Sequence, residues 1–212
     1  MVYAVFVEKA ISERKTLPTG IDALDRFLGG GWPAGGLTAL SGKHGAGKTT
    51  LVLRTVSKLT RSDRWVALVS RGTTLFPPAL HALGIDLSRL LWVHPPEENL
   101  CRWALEQLTR SGLFPLVIGS GVRLDERDAR RLQITAEGSG AAVVLLNEPQ
   151  SNSNLWALSL HCEVERASEK TLLLRVRRSR RFLSTLQTEV NPHEIPHSGP
   201  LSSELPARRV AS

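Results

Sequence analysis

A glycine-rich segment that starts at Gly42 has the residue types and the spacing of a phosphate-binding loop. It matches the pattern G-x-x-x-x-G-K-[ST] without a gap as far as Thr49. In such a loop, successive backbone N–H groups point at phosphate oxygens, Lys48 reaches the β- and γ-phosphates, and the Thr49 hydroxyl can ligate Mg²⁺. The pattern therefore predicts a site for ATP or ADP with Mg²⁺. The predicted binding residues are Gly42, Lys43, His44, Gly45, Ala46, Gly47, Lys48, Thr49 and Thr50.

The residues on both sides of the loop favour this interpretation over a chance glycine-rich turn. The apolar run 37–41 has the length of a strand, and residues 48–59 have the pattern of a helix. A helix that begins at the loop adds the positive end of its dipole to the phosphate site. His44 is most simply an ordinary loop residue.

Strand-like and helix-like segments alternate along the rest of the chain. The alternation predicts an α/β fold with a mostly parallel sheet flanked by helices. The last two strand-like segments have no helix between them, so we expect antiparallel strands at the C-terminal end. The predicted strands are 37–41, 65–70, 90–94, 116–118, 141–146, 155–164 and 171–178, and the predicted helices are 21–28, 48–59, 78–83, 97–111 and 125–137.

Length and composition predict one folded domain between two flanking segments. With 212 residues and an apolar fraction of 42%, the chain can bury one sizeable core. Residues 183–212 contain four prolines, five serines and no aromatic residue, which is typical of a flexible tail. We therefore expect an N-terminal segment at 1–16, a domain at 17–182 and a flexible tail at 183–212.

Cysteine usage and hydropathy argue against several classes of protein. Cys101 and Cys162 have no ligand-like spacing, so neither a disulfide framework nor a zinc site is expected. No window approaches the roughly 18 uncharged apolar residues of a membrane helix. The opening residues 1–7 lack the basic segment and the cleavage site of a signal peptide. These features predict a protein of the reducing cytoplasm.

The excess of positive charge includes one dense cluster near the end of the predicted domain. Lys and Arg total 27 against 20 for Asp and Glu, a balance compatible with nucleic acid or another acidic partner. The cluster lies in the second half of the predicted strand 171–178 and directly after it, and this stretch contains no carboxylate. Salt-dependent contact with phosphates or an acidic partner and a merely solvated face therefore stay equally open. Its residues are Arg175, Arg177, Arg178, Arg180 and Arg181.

A second basic cluster lies on the predicted helix 125–137. Arginines spaced for one face of the helix sit beside several carboxylates in its first turns. These carboxylates favour a neutralised, solvated face over a binding surface. The arginines are Arg127, Arg130 and Arg131, and the carboxylates are Asp125, Glu126 and Asp128.

Residues 17–35, the phosphate loop and residues 82–91 together resemble the core of the RecA recombinases. The likeness continues through residues 141–147 into the closing strands, and so covers roughly residues 17–180. In its short length and in the run 29–33, with three glycines before tryptophan and proline, the chain is similar to the ImuA family. That family comprises RecA-like accessory proteins of a bacterial mutagenesis cassette, which also contains ImuB and an error-prone replicative-type polymerase.

The resemblance implies that parts of the ATPase machinery are missing. The water-activating glutamate of RecA would fall on Gly72, and the aspartate that supports Mg²⁺ would fall on Gly119 or Ser120. Ser120 could hold a metal-bound water but supplies no charge. Asn147 matches the family's Asn-Gln pair, whereas Glu148 replaces the Gln and is either a displaced general base or a solvated loop residue. General-base catalysis contributes about 10²–10⁴-fold, so we expect nucleotide binding with at most slow, DNA-stimulated hydrolysis.

The resemblance also places the DNA-binding loops of RecA at 119–124 and 148–154. The second of these is polar and has no lysine or arginine, which argues against a RecA-like grip on DNA. Trp156, just beyond it, could stack on a base, although a core position is the simpler expectation. A core position is also expected for the tryptophans in apolar runs, Trp65, Trp92 and Trp103.

The function that the resemblance implies is an accessory role in damage-induced mutagenesis, within the SOS response and translesion DNA synthesis. The implied partners are an ImuB-like Y-family polymerase homologue, RecA, the error-prone replicative-type polymerase and single-stranded or damaged DNA. The implied place is the nucleoid in the cytoplasm, without a membrane. Two alternatives stay open: a DNA-stimulated ATPase of recombinase type, and a RecA paralogue that inhibits filament growth.

Overall fold

A mixed sheet lies at the centre of the structure, a computed structural model that describes residues 15–72, 75–148, 155–180 and 186–193. The strands in these ranges are β1 (Thr16–Leu17), β2 (Trp32–Pro33), β3 (Leu37–Ser41), β4 (Val66–Ser70), β5 (Leu90–Val93), β6 (Leu116–Ser120), β7 (Ala142–Asn147), β8 (Leu160–Arg166), β9 (Leu172–Ser179) and β10 (Gln187–Val190). Strands β1 and β2 form a small ribbon, and the other eight form the sheet, in the order β10-β9-β8-β3-β7-β6-β4-β5.

The direction of the strands confirms the predicted fold class. Strands β3 to β8 run parallel to one another, while β9 is antiparallel to β8 and β10 is antiparallel to β9. The helices of the described residues are α1 (Asp22–Phe27), α2 (Lys48–Arg61), α3 (Pro77–Ala82), α4 (Glu98–Arg110) and α5 (Glu126–Ser139), with a short 3₁₀ turn at Leu87–Arg89.

Helices cover both faces of the sheet, which explains why strands such as β4 and β7 are almost entirely apolar. In β4, Val66 and Leu68 belong to a first core cluster, which includes α2, and Ala67 and Val69 belong to a second core cluster, which includes α4 and α5. A strand buried on both faces cannot alternate apolar and polar residues. The continuous run after Trp65 is therefore a strand of a covered, parallel sheet. No helix in the described residues is long and apolar enough to cross a membrane.

The sheet extends beyond the predicted domain boundary at residue 182. Residues 187–190, which the composition places in a flexible tail, form the strand β10 against β9. Val190 is 1% exposed within the first core cluster, and the Arg54 side chain donates to the carbonyl of Pro192. A strand of four residues at the edge of a sheet has little effect on the composition of the segment around it. The proline and serine content of the segment therefore predicts a flexible tail even though the strand is present. Residues 1–14 and 194–212 lie outside the described ranges.

The predicted antiparallel pair is a hairpin of β8 and β9, and its first strand starts later than predicted. Residues 155–159 precede the strand as a turn, with Leu155 and Leu158 in the second core cluster. The pairing is interrupted between His161 and Cys162, which lie opposite Arg178 and Val176. The extra residue on β9 is a bulge, which changes the face to which the following side chains belong.

Three tryptophans expected in the core lie on the surface. Trp65 is 47% exposed, Trp92 39% and Trp103 61%. Trp65 precedes β4, Trp92 lies in the edge strand β5, and Trp103 lies on the outer side of α4. An apolar run indicates an element but not which of its residues are covered. Trp65 lies outside the covered strand β4, β5 is at the edge of the sheet, and α4 has a side that faces away from the core. By contrast, Trp32 is fully buried and donates from Nε1 to the Thr55 hydroxyl at 3.0 Å.

Candidate functional site

The phosphate loop connects β3 to α2 at the carboxyl edge of the parallel strands, and neighbouring strands restrict its residues. A Cβ at Gly42 would lie 2.3 Å from the carbonyl oxygen of Val164. Gly47 has φ +93°, and a Cβ there would lie 2.7 Å from the Leu172 side chain. Both positions therefore require glycine, since strands β8 and β9 press against the loop.

Lys48 is the first residue of α2, and its ammonium group turns back onto the loop. The side chain is buried, and Nζ donates to the carbonyl of Gly42 and, at 3.3 Å, to that of Lys43. Burial lowers the pKa of Lys48 from its ordinary value, and the negative charge of Glu148 partly opposes this. In the part of the chain that the structure describes, the hydrogen-bond partners of this desolvated cation are carbonyls, so it is well suited to bind a phosphate group.

A cavity of about 450 Å³ opens beside the loop. The ends of β6 and β7 contribute Ser120, Asn147 and Glu148 to its wall. The structure thus brings together the loop, the serine predicted to help hold Mg²⁺ and the glutamate predicted as a displaced base. The loop residues along the wall are His44, Gly45, Ala46, Gly47, Lys48, Thr49 and Thr50, whereas Gly42 and Lys43 do not line it.

Local packing explains why a carboxylate is missing at one of the two expected positions, Gly119, whereas the other position, Gly72, has open space around it. A Cβ at Gly119 would lie 2.9 Å from the Leu145 side chain and 3.1 Å from that of Leu105, inside the second core cluster. A Cβ at Gly72 would have no described atom within 4 Å, but the backbone has φ +68°. An aspartate at 119 would therefore disturb the core, while a glutamate at 72 would meet mainly backbone strain.

The oxygen donors around the cavity fit Mg²⁺ only in combination with a nucleotide. They include the hydroxyls of Thr49 and Ser120, the amide oxygen of Asn147 and the exposed carboxylate of Glu148. Among the described residues, no group of three His, Cys, Asp or Glu side chains could hold a metal ion. Mg²⁺ is commonly bound through one or two carboxylates plus substrate phosphates. The set of donors therefore suits an ion that arrives with the phosphates, with one carboxylate at most.

Two arginines that the sequence did not single out for this site also line the cavity. Arg123 follows β6, and its backbone N–H donates to Glu98 Oε1 at 3.1 Å. Arg166 ends β8, and its Nη2 donates to the carbonyl of Gly45 at 3.3 Å. Both residues lie at the ends of parallel strands that reach the same edge as the loop. That shared position is the signal that could have identified them.

The dense basic cluster on β9 is neutralised across the sheet, contrary to expectation. Within the described residues, three of its arginines pair with carboxylates of other elements. The pairs are Arg175 with Glu165 at 2.9 Å, Arg177 with Glu163, and Arg180 with Glu137 at 3.4 Å. The expectation that no carboxylate neutralises this strand is wrong, because its partners are distant in the sequence. Arg181 lies outside the described ranges.

Arg178 is the member of this cluster that contacts an aromatic ring. Its guanidinium carbon lies 4.3 Å from the centre of the Trp156 ring, and its Nη1 donates to the carbonyl of Leu155 at 3.0 Å. Trp156 is 75% exposed, so the expectation of a core position is wrong here too. Its neighbours Leu155 and Ala157 are buried, which fixes the turn while the indole remains outside.

The arginines of α5 are paired differently from the prediction. Asp125 caps the helix by accepting from the backbone N–H of Asp128 at 2.7 Å. Arg131 instead pairs with Glu106 of α4, which also binds Arg110. The carboxylates next to the arginines in the sequence therefore have other partners: Asp128 pairs with Arg102 at 3.3 Å, and Glu126 accepts from the Trp156 backbone at 3.0 Å.

Of the two segments that match the DNA-binding loops of RecA, the described residues lie at the same edge as the cavity. The first, 119–124, is described throughout, and the N–H of Gly121 donates to the carbonyl of Leu146 at 3.1 Å. Of the second, 148–154, only Glu148 lies within the described ranges.

Comparison with known proteins identifies one matching family model and many similar sequences. The model of the RecA N-terminal domain matches residues 4–137. The RecA protein of Prochlorococcus marinus strain MIT 9303 is 29% identical over 156 residues, covering 63% of this chain and 41% of the relative. The RecA proteins of P. marinus strain MIT 9211 and Synechococcus sp. strain WH7803 are 30% and 28% identical, covering 63% of this chain and 42% and 41% of those relatives. The chain thus spans about two-fifths of the length of these relatives.

Proposed function

The chain belongs to the RecA family, and from this premise we propose that it is a nucleotide-binding relative of the recombinases that holds ATP or ADP with Mg²⁺. The observation that carries the proposal is the unbroken phosphate loop with its buried Lys48 at the wall of a 450 Å³ cavity. The loop N–H groups and Lys48 would bind the β-phosphate. The hydroxyls of Thr49 and Ser120 would orient Mg²⁺, which supplies countercharge to the phosphates when bound.

Calorimetric titration with ADP and AMP tests this proposal. AMP is the matched control ligand, because it lacks the β-phosphate that Lys48 and the loop are expected to bind. A charge-assisted hydrogen bond contributes about 1.5–3 kcal/mol, so ADP should bind at least about 10-fold more tightly than AMP. Equal affinities for ADP and AMP, or no binding of ADP, would contradict a phosphate-binding loop.

We propose that hydrolysis is slow in the purified chain. Gly72, Gly119 and Ser120 stand where a RecA-type enzyme is expected to have carboxylates, and the described part of the cavity wall has a single carboxylate, Glu148. Binding of ground-state phosphates does not by itself activate the attacking water. Glu148 is therefore the candidate for a displaced general base.

Turnover of ATP with and without single-stranded DNA separates this role from that of a DNA-stimulated ATPase. A rate of many turnovers per second without DNA would contradict the proposal of slow hydrolysis. A large increase with DNA would favour the alternative of a recombinase-type ATPase. Glu148→Gln keeps the size of the side chain and removes its charge. An unchanged residual rate in that variant would exclude Glu148 as the base.

We further propose an accessory role of the ImuA type in damage-induced mutagenesis, which would place the chain at the nucleoid beside RecA and DNA. The supporting features are family membership, the missing carboxylates and the segment 183–212 with its scattered apolar residues. Val190 of this segment is buried in the core, so the apolar residues that remain as proposed contacts for a partner are Leu183, Leu186, Ile195, Leu201 and Leu205. The proposed partners are an ImuB-like polymerase homologue, RecA and an error-prone replicative-type polymerase.

A pull-down with the ImuB-like protein tests the accessory role. The full chain is compared with a chain that ends at His193, which keeps β10 and the Pro192 contact. We expect the shorter chain to fold and to bind ADP, but to capture less of the partner. Equal capture by both chains would assign no partner contact to 194–212, and no capture by either would contradict an ImuA-type role. A filament assay with RecA tests the alternative of an inhibitor of filament growth.

Contact with single-stranded nucleic acid is a second candidate function, and Trp156 is the observation that favours it. An indole that is 75% exposed next to a stacked guanidinium resembles the aromatic platforms on which bases stack. Arg130 lies one helical turn after Glu126, which holds the backbone of Trp156, and is exposed on the same side of α5. We therefore propose that DNA is contacted by Trp156, Arg178 and Arg130, and not by the arginines of β9 that are paired with carboxylates.

Two exposed tryptophans form a matched pair for testing this contact. Trp156→Ala removes the proposed platform, while Trp103→Ala removes a 61% exposed indole from α4. Base stacking contributes about 1–3 kcal/mol, so Trp156→Ala should weaken binding of labelled single-stranded DNA by about 5- to 100-fold. Trp103→Ala should leave the affinity unchanged. Equal effects of the two substitutions would contradict a specific role for Trp156.

A further inference from the structure

We propose that Arg123 and Arg166 bind the polyphosphate of the nucleotide and supply positive charge to it. In nucleotide sites with more carboxylates, a Mg²⁺ ion held by those carboxylates supplies this charge. Nucleotide binding to this chain therefore depends only weakly on Mg²⁺. This inference rests on the proposed nucleotide site. It concerns how the site balances charge, which the phosphate-loop pattern does not specify. Neither arginine lies within the loop or next to it in the sequence.

The charge of the cavity supports this inference. Its described wall contains the cations Lys48, Arg123 and Arg166 and one carboxylate, Glu148, which gives a net charge of three minus one, or +2. The one carboxylate also acts on Lys48, since its charge raises the pKa of that lysine against the effect of burial. A cavity of this sign attracts a polyphosphate before any metal ion is present.

The order of the strands places the two arginines on opposite sides of the loop. Strand β3, which leads into the loop, lies between β8 and β7, and β6 follows β7. Arg166 ends β8 on one side of β3, and Arg123 follows β6 on the other. Lys48 lies between them at the start of α2. Three cations from separate elements can therefore approach one phosphate chain from different directions.

The partners of the two guanidinium groups leave them able to bind an anion. Arg166 donates from Nη2 to Gly45 and from Nη1 to Glu169, in both cases to backbone carbonyls. The guanidinium of Arg123 has no ion pair within the described ranges, and its backbone is held by Glu98. By contrast, Arg71 pairs with the same Glu98 at 3.2 Å. Arginine suits this role because its planar fork can bind phosphate oxygens in a bidentate manner.

The surroundings of the cavity provide few ligands that would make Mg²⁺ essential. Gly119 is packed against Leu145 and Leu105, so the end of β6 cannot carry an aspartate there without disturbing the core. The hydroxyls of Thr49 and Ser120 are neutral donors. Arginine guanidiniums at the cavity and a Mg²⁺ ion on the phosphates both neutralise the same charge. The more of it the arginines neutralise, the less binding depends on the ion.

The experiment is an equilibrium titration of a fluorescent ADP analogue in Mg²⁺ and in EDTA. The full chain is compared with Arg123→Ala, Arg166→Ala and the control Arg175→Ala, whose arginine pairs with Glu165 and does not line the cavity. Arg166→Lys keeps the charge but not the planar fork. Thermal melts verify that each variant is folded, and a variant that is not folded is replaced by its lysine counterpart.

The expected result is a loss of less than tenfold for the parent chain when EDTA replaces Mg²⁺. In EDTA, Arg123→Ala and Arg166→Ala should each bind at least fivefold more weakly than the parent, Arg166→Lys should be intermediate, and Arg175→Ala should match the parent. A parent that loses tenfold or more in EDTA overturns the inference and leaves the nucleotide site intact. An alanine variant within fivefold of the parent overturns the role of that arginine. No binding in either buffer overturns the proposed function itself.

Discussion

The cations around the phosphate loop and the arginines of β9 are both dense groups of positive charge, but they differ in their partners. The first group lines a cavity, and the second is paired with carboxylates. Lys48, Arg123 and Arg166 come from three elements and meet at one cavity without a paired carboxylate in the described residues. Arg175 and Arg177 come from one strand and are paired with the glutamates of β8. The first group is scattered in the sequence and convergent in space, while the second is contiguous in the sequence and neutralised in space.

This difference shows that the density of charge along a chain is a weak indicator of a binding surface. In a strand, residues two apart share a face, so contiguous arginines meet whatever the neighbouring strand presents. Here the neighbour presents Glu163 and Glu165. Loops at the carboxyl edge of parallel strands meet no such neighbour, because the chain turns away from the sheet there. A cation at this edge therefore stays available to a ligand unless a helix supplies a carboxylate, as Glu98 of α4 does for Arg71. Arg123 and Arg166 have no ion pair in the described residues.

The largest effect that distinguishes the two groups is expected from Lys48→Ala. Loss of a desolvated cation that binds phosphate should weaken ADP binding by about 10- to 150-fold, because a charged hydrogen bond contributes about 1.5–3 kcal/mol. Lys58→Ala is the matched control, since Lys58 is an exposed lysine of the same helix and does not line the cavity. Arg177→Ala should likewise leave the affinity unchanged. Calorimetry measures all three, and a Lys48→Ala chain that binds ADP as the parent does would remove the basis of the comparison.

A moderate effect in the opposite direction is expected when the β9 arginines are released. Glu163→Gln combined with Glu165→Gln removes the carboxylates that pair with Arg177 and Arg175. If these ion pairs prevent the arginines from binding DNA, the double variant should bind single-stranded DNA about 3- to 10-fold more tightly at low salt. Its affinity should also decrease more steeply as the salt concentration rises. Fluorescence anisotropy at several salt concentrations measures both. An unchanged slope would mean that these arginines do not reach the DNA even when free.

A smaller effect, on stability, is expected from Arg177→Ala. Its pair with Glu163 is partly exposed, with side-chain exposures of 50% and 23%, so the pair should contribute only about 0.2–1 kcal/mol to the free energy of unfolding. Denaturation by urea gives this value. Arg131→Ala is the comparison. In that variant Glu106 still pairs with Arg110, so the free energy of unfolding should decrease less than in Arg177→Ala. A loss of several kcal/mol for Arg177→Ala would show that the pair is structural rather than a surface contact.

The smallest effect concerns the pH dependence of stability through His161. This buried ring bonds to the Ser41 hydroxyl at 2.8 Å, and burial lowers its pKa below the ordinary 6.5, with Arg177 and Arg178 lowering it further and Glu163 opposing. A lowered pKa keeps the folded state neutral where the unfolded chain takes up a proton. The free energy of unfolding should therefore decrease as the pH falls from 6.5 toward the folded pKa, and should not change above 6.5 on this account.

His161→Gln provides the control for this dependence. Glutamine cannot titrate, so its unfolding free energy should lose the slope that His161 contributes below pH 6.5, whatever the absolute stability of the variant. Urea denaturation at a series of pH values compares the slopes. Parallel slopes for the parent and the variant would show that His161 does not set this dependence.

Local patterns predicted the elements that depend on local residue types. The phosphate loop follows from the spacing of Gly42, Gly47 and Lys48, and the alternation of strands and helices follows from hydrophobic periodicity. The antiparallel hairpin near the end of the core was also evident, since no helix separates its two strands. By contrast, β10 escaped prediction, because a four-residue edge strand in a proline-containing segment has almost no periodicity to detect.

The amino-acid sequence by itself determined the phosphate loop, the order of strands and helices, and the absence of carboxylates at residues 72, 119 and 120. The tertiary structure alone decided which cations meet the cavity, which arginines are neutralised and which tryptophans reach the surface. The physical reason is distance along the chain: Arg166 contacts Gly45 across 121 residues and Arg180 contacts Glu137 across 43. Backbone preferences act over a few residues, whereas charge pairing and burial depend on neighbours that only folding brings together.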